Sequence, residues 1–412
     1  MTNAIPDFVD ALDHADPLRS FRQRFALPPS VIYLDGNSLG ALPLETMPRL
    51  EKVVREEWGM GLIRSWNSHD WVGAPRRIGD KIASLIGAGR GEVVVADSTS
   101  VNIFKLVMAA LGARPGRNVI LTEAGNFPTD LYVAQGIAGL LSNITVRAVA
   151  ADEIEAALND DVAVLLLTHV HYKTGRKYDM AQITRRAHAC GALTIWDLSH
   201  SAGAVNVDLR GAAADMAVGC GYKYLNGGPG APAFLYVTEQ LQAILRSPIT
   251  GWFGHAAPFD FDDGFCPAGD IGRFLSGTPP VLGLMTLETG IDLMREAPSE
   301  LLFQKSQALC SFFIEQIDVL CAGLGLELVT TRDVSGRGSH VSLRHPEGYP
   351  IVQALIARGI IGDFRAPDIL RFGFAPLYLR FADVWLAVDA LREVLQTRAW
   401  DQAAFRARAA VT

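Results

Sequence analysis

Between residues 90 and 240 the chain alternates short apolar runs with longer stretches of mixed polarity. The runs are "EVVVA" (92–96), "NVILT" (118–122), "ITVRAV" (144–149), "VAVLLLT" (162–168), "ALTIWD" (192–197), "DMAVGC" (215–220) and "AFLYV" (233–237). Most are β-branched and apolar at consecutive positions, the pattern of strands covered on both faces. Several gaps have helical spacing, such as "MAQITRRAHAC" (180–190) ahead of Gly191, a residue suited to end a helix. Strand, helix, strand in repetition predicts an α/β fold with a doubly wound, mostly parallel seven-stranded sheet.

After about residue 285 the texture changes. "LLFQKSQALCSFFIEQIDVLCAGLG" (301–325) reads as a long amphipathic helix ending in glycine. It is followed by "LELVTT", "SHVSLRH", a helix at "PIVQALIARG" and "LRFGFAPLY" (370–378). This alternation predicts a smaller α+β C-terminal domain with one exposed sheet face. The first sixty residues, helical at "MPRLEKVVREEWGMGL", form a leading segment. The expected division is a segment over 1–60, a large α/β domain over 61–285 and a small α+β domain over 286–412.

Composition narrows the class. The chain has 412 residues, 49% apolar and 20% charged, which describes an ordered globular protein long enough for two domains. Net charge is −7 with no long basic block, so neither nucleic acid nor an anionic membrane is expected as a partner. Five widely spaced cysteines without a Cys-x-x-Cys pair argue against a disulfide framework and a zinc site, and no metal is expected. The opening residues lack the basic and apolar regions of a signal peptide, and no apolar run is long enough to span a bilayer. A cytoplasmic location is expected.

The chemistry starts at Asp197, which ends an apolar strand at the edge where open α/β sheets bind ligands. Alone, Asp197 reads better as a helix N-cap in "DLSHS". Lys223, one strand-helix-strand step later, sits between two tyrosines in "GCGYKYLNGGPG" (219–230). A lysine and an acid ending neighbouring strands suit pyridoxal 5′-phosphate (PLP). The amine binds the cofactor covalently and the carboxylate pairs with its pyridinium nitrogen. "DSTSVNIFKL" (97–106) offers Thr99 and Ser100, either as a plain cap or as a phosphate cradle at a helix N-terminus. In "GNFPTD" (125–130), Phe127 is placed to stack on a ring, with Asp130 beside it. His200 follows Asp197 by three residues.

With these pieces assembled, the chain resembles the kynureninase family, fold-type I PLP enzymes of the class V aminotransferase superfamily. The resemblance runs from "YLDGNSLGALP" (33–43) to "LRFGFAPLY". It passes through "SWNSHDW", "STSVN", "NFPTD", "THVHYKTGRKYDM", "WDLSHSAGAV", "GCGYKYLNGGPGAPAFLYV", "GWFGH" and "FLSGTPP". It implies hydrolytic cleavage of L-kynurenine to anthranilate and L-alanine, and of 3-hydroxykynurenine to 3-hydroxyanthranilate and alanine, in tryptophan degradation. It implies a homodimer with shared active sites. Lys223 would carry the cofactor and Asp197 would pair with its nitrogen. Phe127, Asp130, Thr168, His200, Thr99, Ser100 and Tyr222 would surround it, with Trp252 and Thr278 coming from the partner subunit. Arg371 would bind the substrate carboxylate, which guanidinium can grip bidentately. His69 would approach the aryl end, and the threonine at 278 favours the unhydroxylated substrate. Tyr222 is the candidate acid for the last protonation. The alternatives are a cysteine desulfurase or an aminotransferase of the same superfamily, then a non-catalytic PLP-binding protein. For a desulfurase, Cys266 in "DGFCPAG" is the loop thiol that would have to act.

Overall fold

Each apolar run between 90 and 240 is a strand. The computed structural model describes residues 5–408. A short strand β1 (Ile32–Tyr33) precedes the central sheet, made of β2 (Val93–Val95), β3 (Val119–Glu123), β4 (Thr145–Val149), β5 (Val162–Thr168), β6 (Leu193–Asp197), β7 (Met216–Gly219) and β8 (Phe234–Val237). Their spatial order is β2-β8-β7-β6-β5-β3-β4. The strands β3 to β7 run parallel, and β8 is antiparallel to both of its neighbours.

Every strand of this sheet except the edge strand β4 is buried at all positions. Alternate side chains feed two separate cores, as the two-residue period of a strand requires. Leu165, Leu167 and Trp196 face one, while Val164, Leu166 and Ile195 face the other. Both faces are thus covered, which is why these strands read as unbroken apolar runs. Leu166→Ala would open a cavity at a cost of about 2–5 kcal/mol.

The parallel strands end along one edge. Register places Thr168 of β5 beside Asp197 of β6, and Asp197 beside Val218 of β7. Two polar side chains therefore meet at the carboxyl ends of neighbouring buried strands, where such sheets take their ligands.

The C-terminal part adds β9 (Glu327–Leu328), β10 (His340–Arg344), β11 (Ile360–Ile361), β12 (Asp363–Arg365) and β13 (Ile369–Gly373). Four of these form an antiparallel sheet, ordered β12-β13-β10-β9. The expected exposed sheet face is not found: β13 is buried throughout, and β10 at every position but Arg344. One face packs on the helices Ser299–Leu320 and Gly348–Ile356, with Phe313 against Phe372 at 5.2 Å between ring centroids. The other meets the turns that follow β5 and β7. Ser342 Oγ donates to the Lys173 carbonyl at 2.7 Å, and Tyr224 donates its hydroxyl proton to the Ser339 carbonyl at 2.9 Å.

The leading segment does not stand apart. β1 pairs in parallel with β11, and Asp35 bridges Gly373. The helix Asp7–Ala15 packs on the helix Phe381–Gln396 through Phe8 and Trp385. Residues 32–40 consequently cross the junction between the two sheets. Among the described residues no helix is long and apolar enough to cross a membrane.

Candidate active site

A cavity of about 460 Å³ opens at the carboxyl ends of the parallel strands. Its floor is built by the turns after β6 and β7. Asp197 ends β6, and its Oδ1 accepts from the Ser199 N–H at 2.7 Å. No helix follows β6, so the helix-capping reading of Asp197 fails: one oxygen serves a local turn, and the residue lines the cavity.

The turn after β7 presents Lys223, whose carbonyl accepts from Asn226 N–H at 2.9 Å. Residue 40 must approach this turn closely, and Gly40 N–H donates to the Tyr222 carbonyl at 2.8 Å. A Cβ at Gly40 would fall 2.3 Å from the Lys223 carbonyl oxygen, so only glycine fits. Gly228 and Gly230 adopt φ of +86° and +72°, which explains two of the three glycines of "NGGPG". Lys223 is buried, with Nζ 3.0 Å from His200 Nε2 and 5.7 Å from the centroid of the Phe127 ring.

Charge in this cavity is not self-balancing. Asp130 and Asp197 are both buried. Burial, and then the neighbouring Asp197, push the Asp130 carboxyl well above the usual carboxylate range. Asp197 is also raised by burial, with Ser199 and Lys223 pulling it back. Of the pair, Asp130 is thus pushed further toward its neutral form than Asp197. Thr168 Oγ1 donates to Asp130 Oδ2 at 3.0 Å and also contacts Asn126 Oδ1, leaving Asp130 Oδ1 without a partner. Burial and then Lys223 hold His200 far below the usual imidazole range, so it is neutral. Its Nε2 accepts from the Lys223 ammonium, and Nδ1 has no partner.

The donor set fits PLP. An anionic acid at the strand edge needs a cationic N–H, the amine can bind a carbonyl carbon, and Phe127 gives a ring face. The helix Thr99–Ala113 points its N-terminus at the same cavity. Its cap is Ser98, which accepts from Val101 N–H at 3.4 Å. Thr99 and Ser100 therefore sit in the first turn, whose N–H groups have no intrahelical acceptor and suit a dianion.

Some expected residues are not brought together. Arg371 is buried but already engaged. Its Nε donates to Asp363 Oδ1 at 2.8 Å and Nη2 pairs with Asp363 Oδ2. Nη2 also donates to Ser38 Oγ at 2.9 Å, and Nη1 to the Tyr172 carbonyl at 2.7 Å. Asp363 thus occupies the bidentate face expected for the substrate, leaving one Nη1 hydrogen. His69 is exposed, with Nδ1 3.1 Å from both Ser65 and Ser68 hydroxyls. Trp252 is partly exposed within an aromatic group with Phe253, Phe259 and Phe261, and Thr278 is exposed. None of these three lines the cavity of its own chain.

Tyr222 lines the cavity, but burial, with Cys220 and Asp197 adding to it, pushes its hydroxyl above the ordinary phenol range. The chain's own groups oppose its acting as an acid. No cysteine lines the cavity. Burial pushes the thiols of Cys220, Cys310 and Cys321 up, the last two to about 12 and about 11, and Cys266 is exposed in a loop. Sequence reasoning missed Asn126, Ser98 and Asp363. The first two lie inside quoted motifs, next to residues that were chosen; Asp363 carries no local signal, because its role is set by Arg371 across the sheet.

A family model described as the kynureninase C-terminal domain matches residues 302–391. The chain is 52% identical over 408 residues to a kynureninase of Pseudomonas fluorescens, covering 98% of each chain. It is 50% identical over 408 residues to a kynureninase of Burkholderia pseudomallei, again covering 98% of each. In fold it is similar to an apo cysteine desulfurase from Thermococcus onnurineus, with a TM-score of 0.77 at 20% identity over 92% of this chain and 98% of that one. It is also similar to a variant of C-DES with glycine covalently linked to its PLP cofactor, at a TM-score of 0.75 and 18% identity over 90% and 98% of the two chains. At such identities these likenesses establish the fold alone, and it is the fold expected from the strand pattern.

Proposed function

The chain belongs to the kynureninase family, and from that premise we propose that the cavity around Lys223 is where its chemistry takes place. The protein is a PLP-dependent hydrolase acting on a carbon–carbon bond, cleaving L-kynurenine to anthranilate and L-alanine. The observation that carries the placement is the group of Asp130, Asp197, His200 and Lys223 buried together at one cavity floor.

Bound PLP supplies an electron sink next to the substrate's α-carbon. Lys223 would hold it through Nζ, Asp197 would pair with its ring nitrogen, and Phe127 would stack on its ring. Thr99 and Ser100 would take its phosphate. With substrate bound, the free Lys223 amine would be the base placed to take the proton from Cα. His200, neutral beside Nζ, keeps a second positive charge away from that amine. Asp130, pushed further toward its neutral form, would leave Asp197 as the single carboxylate facing the ring nitrogen. Arg371 offers its remaining Nη1 hydrogen to the substrate carboxylate. Tyr222 would hold a proton for Cβ of the product, and a positive neighbour, not a further anion, would be needed to ease its release.

A homodimer is supported by the exposure of Trp252, Thr278 and His69 away from their own cavity, where a second subunit would present them. We read the protein as cytoplasmic, without nucleic acid or membrane partners, on its net charge of −7 and its lack of a basic block. Thr278 supports preference for kynurenine over the 3-hydroxy form. A desulfurase reading is disfavoured because no thiol reaches the cavity among the described residues.

Holoenzyme given L-kynurenine should release fluorescent anthranilate and alanine in equal amounts, and given L-cysteine it should release no sulfide. Turnover of kynurenine and 3-hydroxykynurenine measured side by side tests the role of Thr278. Sulfide without anthranilate would overturn the assignment.

A further inference from the structure

Arg371 shares its position with other charged groups. Asp363 accepts from Arg371 Nε at 2.8 Å, from Arg365 Nη2 at 2.6 Å and from Ser38 Oγ at 3.1 Å. Asp35, in the loop after β1, joins the same group. Its backbone bridges Gly373 of β13, and its carboxyl lies near the Ser38 hydroxyl, which donates to Asp363. Asp363, Arg371 and Arg365 all act on it electrostatically. The phenols of Tyr33, Tyr224 and Tyr378 close the cluster, and burial raises all three, so they stay uncharged. Oδ1 of Asp35 is shielded from solvent and has no partner.

The cluster therefore holds two guanidiniums and two carboxyls. With both acids ionised it is neutral, and an incoming substrate carboxylate would be a third anion facing two cations. Such an excess is unfavourable away from water. One bound proton removes it. Asp363 is the wrong acceptor, because its oxygens already take four donated hydrogen bonds. Asp35 has an oxygen to spare.

We propose that Asp35 is a positioning residue for substrate binding, a carboxyl that is protonated when Arg371 takes the α-carboxylate and whose ionisation weakens that grip. The proposal rests on the reading of Arg371 as the carboxylate-binding residue. Burial, and then Asp363, raise the Asp35 carboxyl to about 7, with Arg371 and Ser38 opposing. Asp363 is also pushed up by burial, but Arg371 outweighs this and holds it below the usual range. Below about pH 7 the cluster carries one net positive charge and favours an anion. Above it the cluster is neutral and the affinity falls.

β-Benzoylpropionate tests this. It keeps the carboxylate and aryl ketone of the substrate but has no amino group, so its own charge is constant through neutral pH. Its inhibition constant with wild-type holoenzyme should rise about tenfold from about pH 6 to about pH 9, the size expected when one unit charge changes several ångströms away. In Asp35→Asn it should stay at the tight value across that range, a difference that a merely structural role would not produce. Wild-type holoenzyme should also take up a proton on binding the probe slightly above pH 7, read with an indicator dye in weak buffer. Identical pH profiles for the two proteins would overturn the proposal. So would absence of proton uptake by the wild type, which decides the matter even if Asp35→Asn does not fold. Arg371→Gln should bind the probe weakly at every pH; unchanged affinity there would instead overturn the reading of Arg371.

Discussion

Asp363→Asn tests whether the group around Arg371 is held by charge. The two side chains are 2% and 1% exposed, and the carboxylate receives two bonds from Arg371, one from Arg365 and one from Ser38. Removing one partner of a buried ion pair strands the other, at about 3–5 kcal/mol. Asparagine keeps one acceptor oxygen, which recovers about 1 kcal/mol. The net loss should be about 2–4 kcal/mol. Urea unfolding read by circular dichroism and tryptophan fluorescence measures it, at fixed protein and cofactor concentration because both bind only the folded state. The pH dependence has a definite sign. Arg371 overcomes burial and holds Asp363 below its ordinary value. Its contribution is therefore complete above the unfolded carboxylate value, about 3.9, and is lost as pH falls through the lower folded value. The gap between wild type and variant should be level above about pH 8, widen as Asp35, raised to about 7 partly by Asp363, takes its proton in the wild type, and narrow only under acid conditions. A loss below about 1 kcal/mol, or a gap already closed at about pH 6, would refute the reasoning.

The remaining expectations concern the cavity. Asp197→Asn should lower kcat by about a hundredfold or more, whereas Asp130→Asn, which imitates the neutral acid, should cost less than about tenfold; equal losses would remove the division of roles. Arg371→Lys should raise KM for kynurenine by about tenfold or more with a smaller change in kcat, since lysine cannot keep the contacts to both Asp363 and Ser38; an unchanged KM withdraws the assignment. Tyr222→Phe should slow release of alanine far more than release of anthranilate in single-turnover experiments, and equal slowing contradicts its role as the late acid. Mixing inactive Lys223→Ala and Trp252→Ala subunits should restore part of the activity if each site borrows Trp252 from the partner. Mixtures as inactive as their parents would sink the shared-site arrangement.

Much of the fold was legible because the central strands are covered on both faces. Burial at every position imposes unbroken apolar runs, and those runs cannot be mistaken for amphipathic helices of the same length. Asp197 and Lys223 were legible for a related reason: a charged residue ending such a run has no solvent to face, so it needs a partner. The C-terminal sheet was misjudged because its alternation promises one wet face. The structure covers that face with the turns that follow β5 and β7, and contacts such as Ser342 to the Lys173 carbonyl leave no local trace. The capping role of Thr99 and Ser100 was removed by Ser98, whose capping bond depends on the backbone angle at which β2 enters the helix.

The amino-acid sequence by itself determined the sheet, the turn chemistry around Lys223 and the family, because these depend on local periodicity and on short motifs. The tertiary structure decided which charges coexist. Asp35 and Asp363 lie more than three hundred residues apart, yet they share Ser38 and Arg371. Burial raises both Asp130 and Asp197, and their neighbours set them apart: Asp197 pushes Asp130 up, while Ser199 and Lys223 pull Asp197 back. The ionisation of a carboxyl is governed by the charges and solvent within a few ångströms, and proximity of that kind is created only when the chain folds.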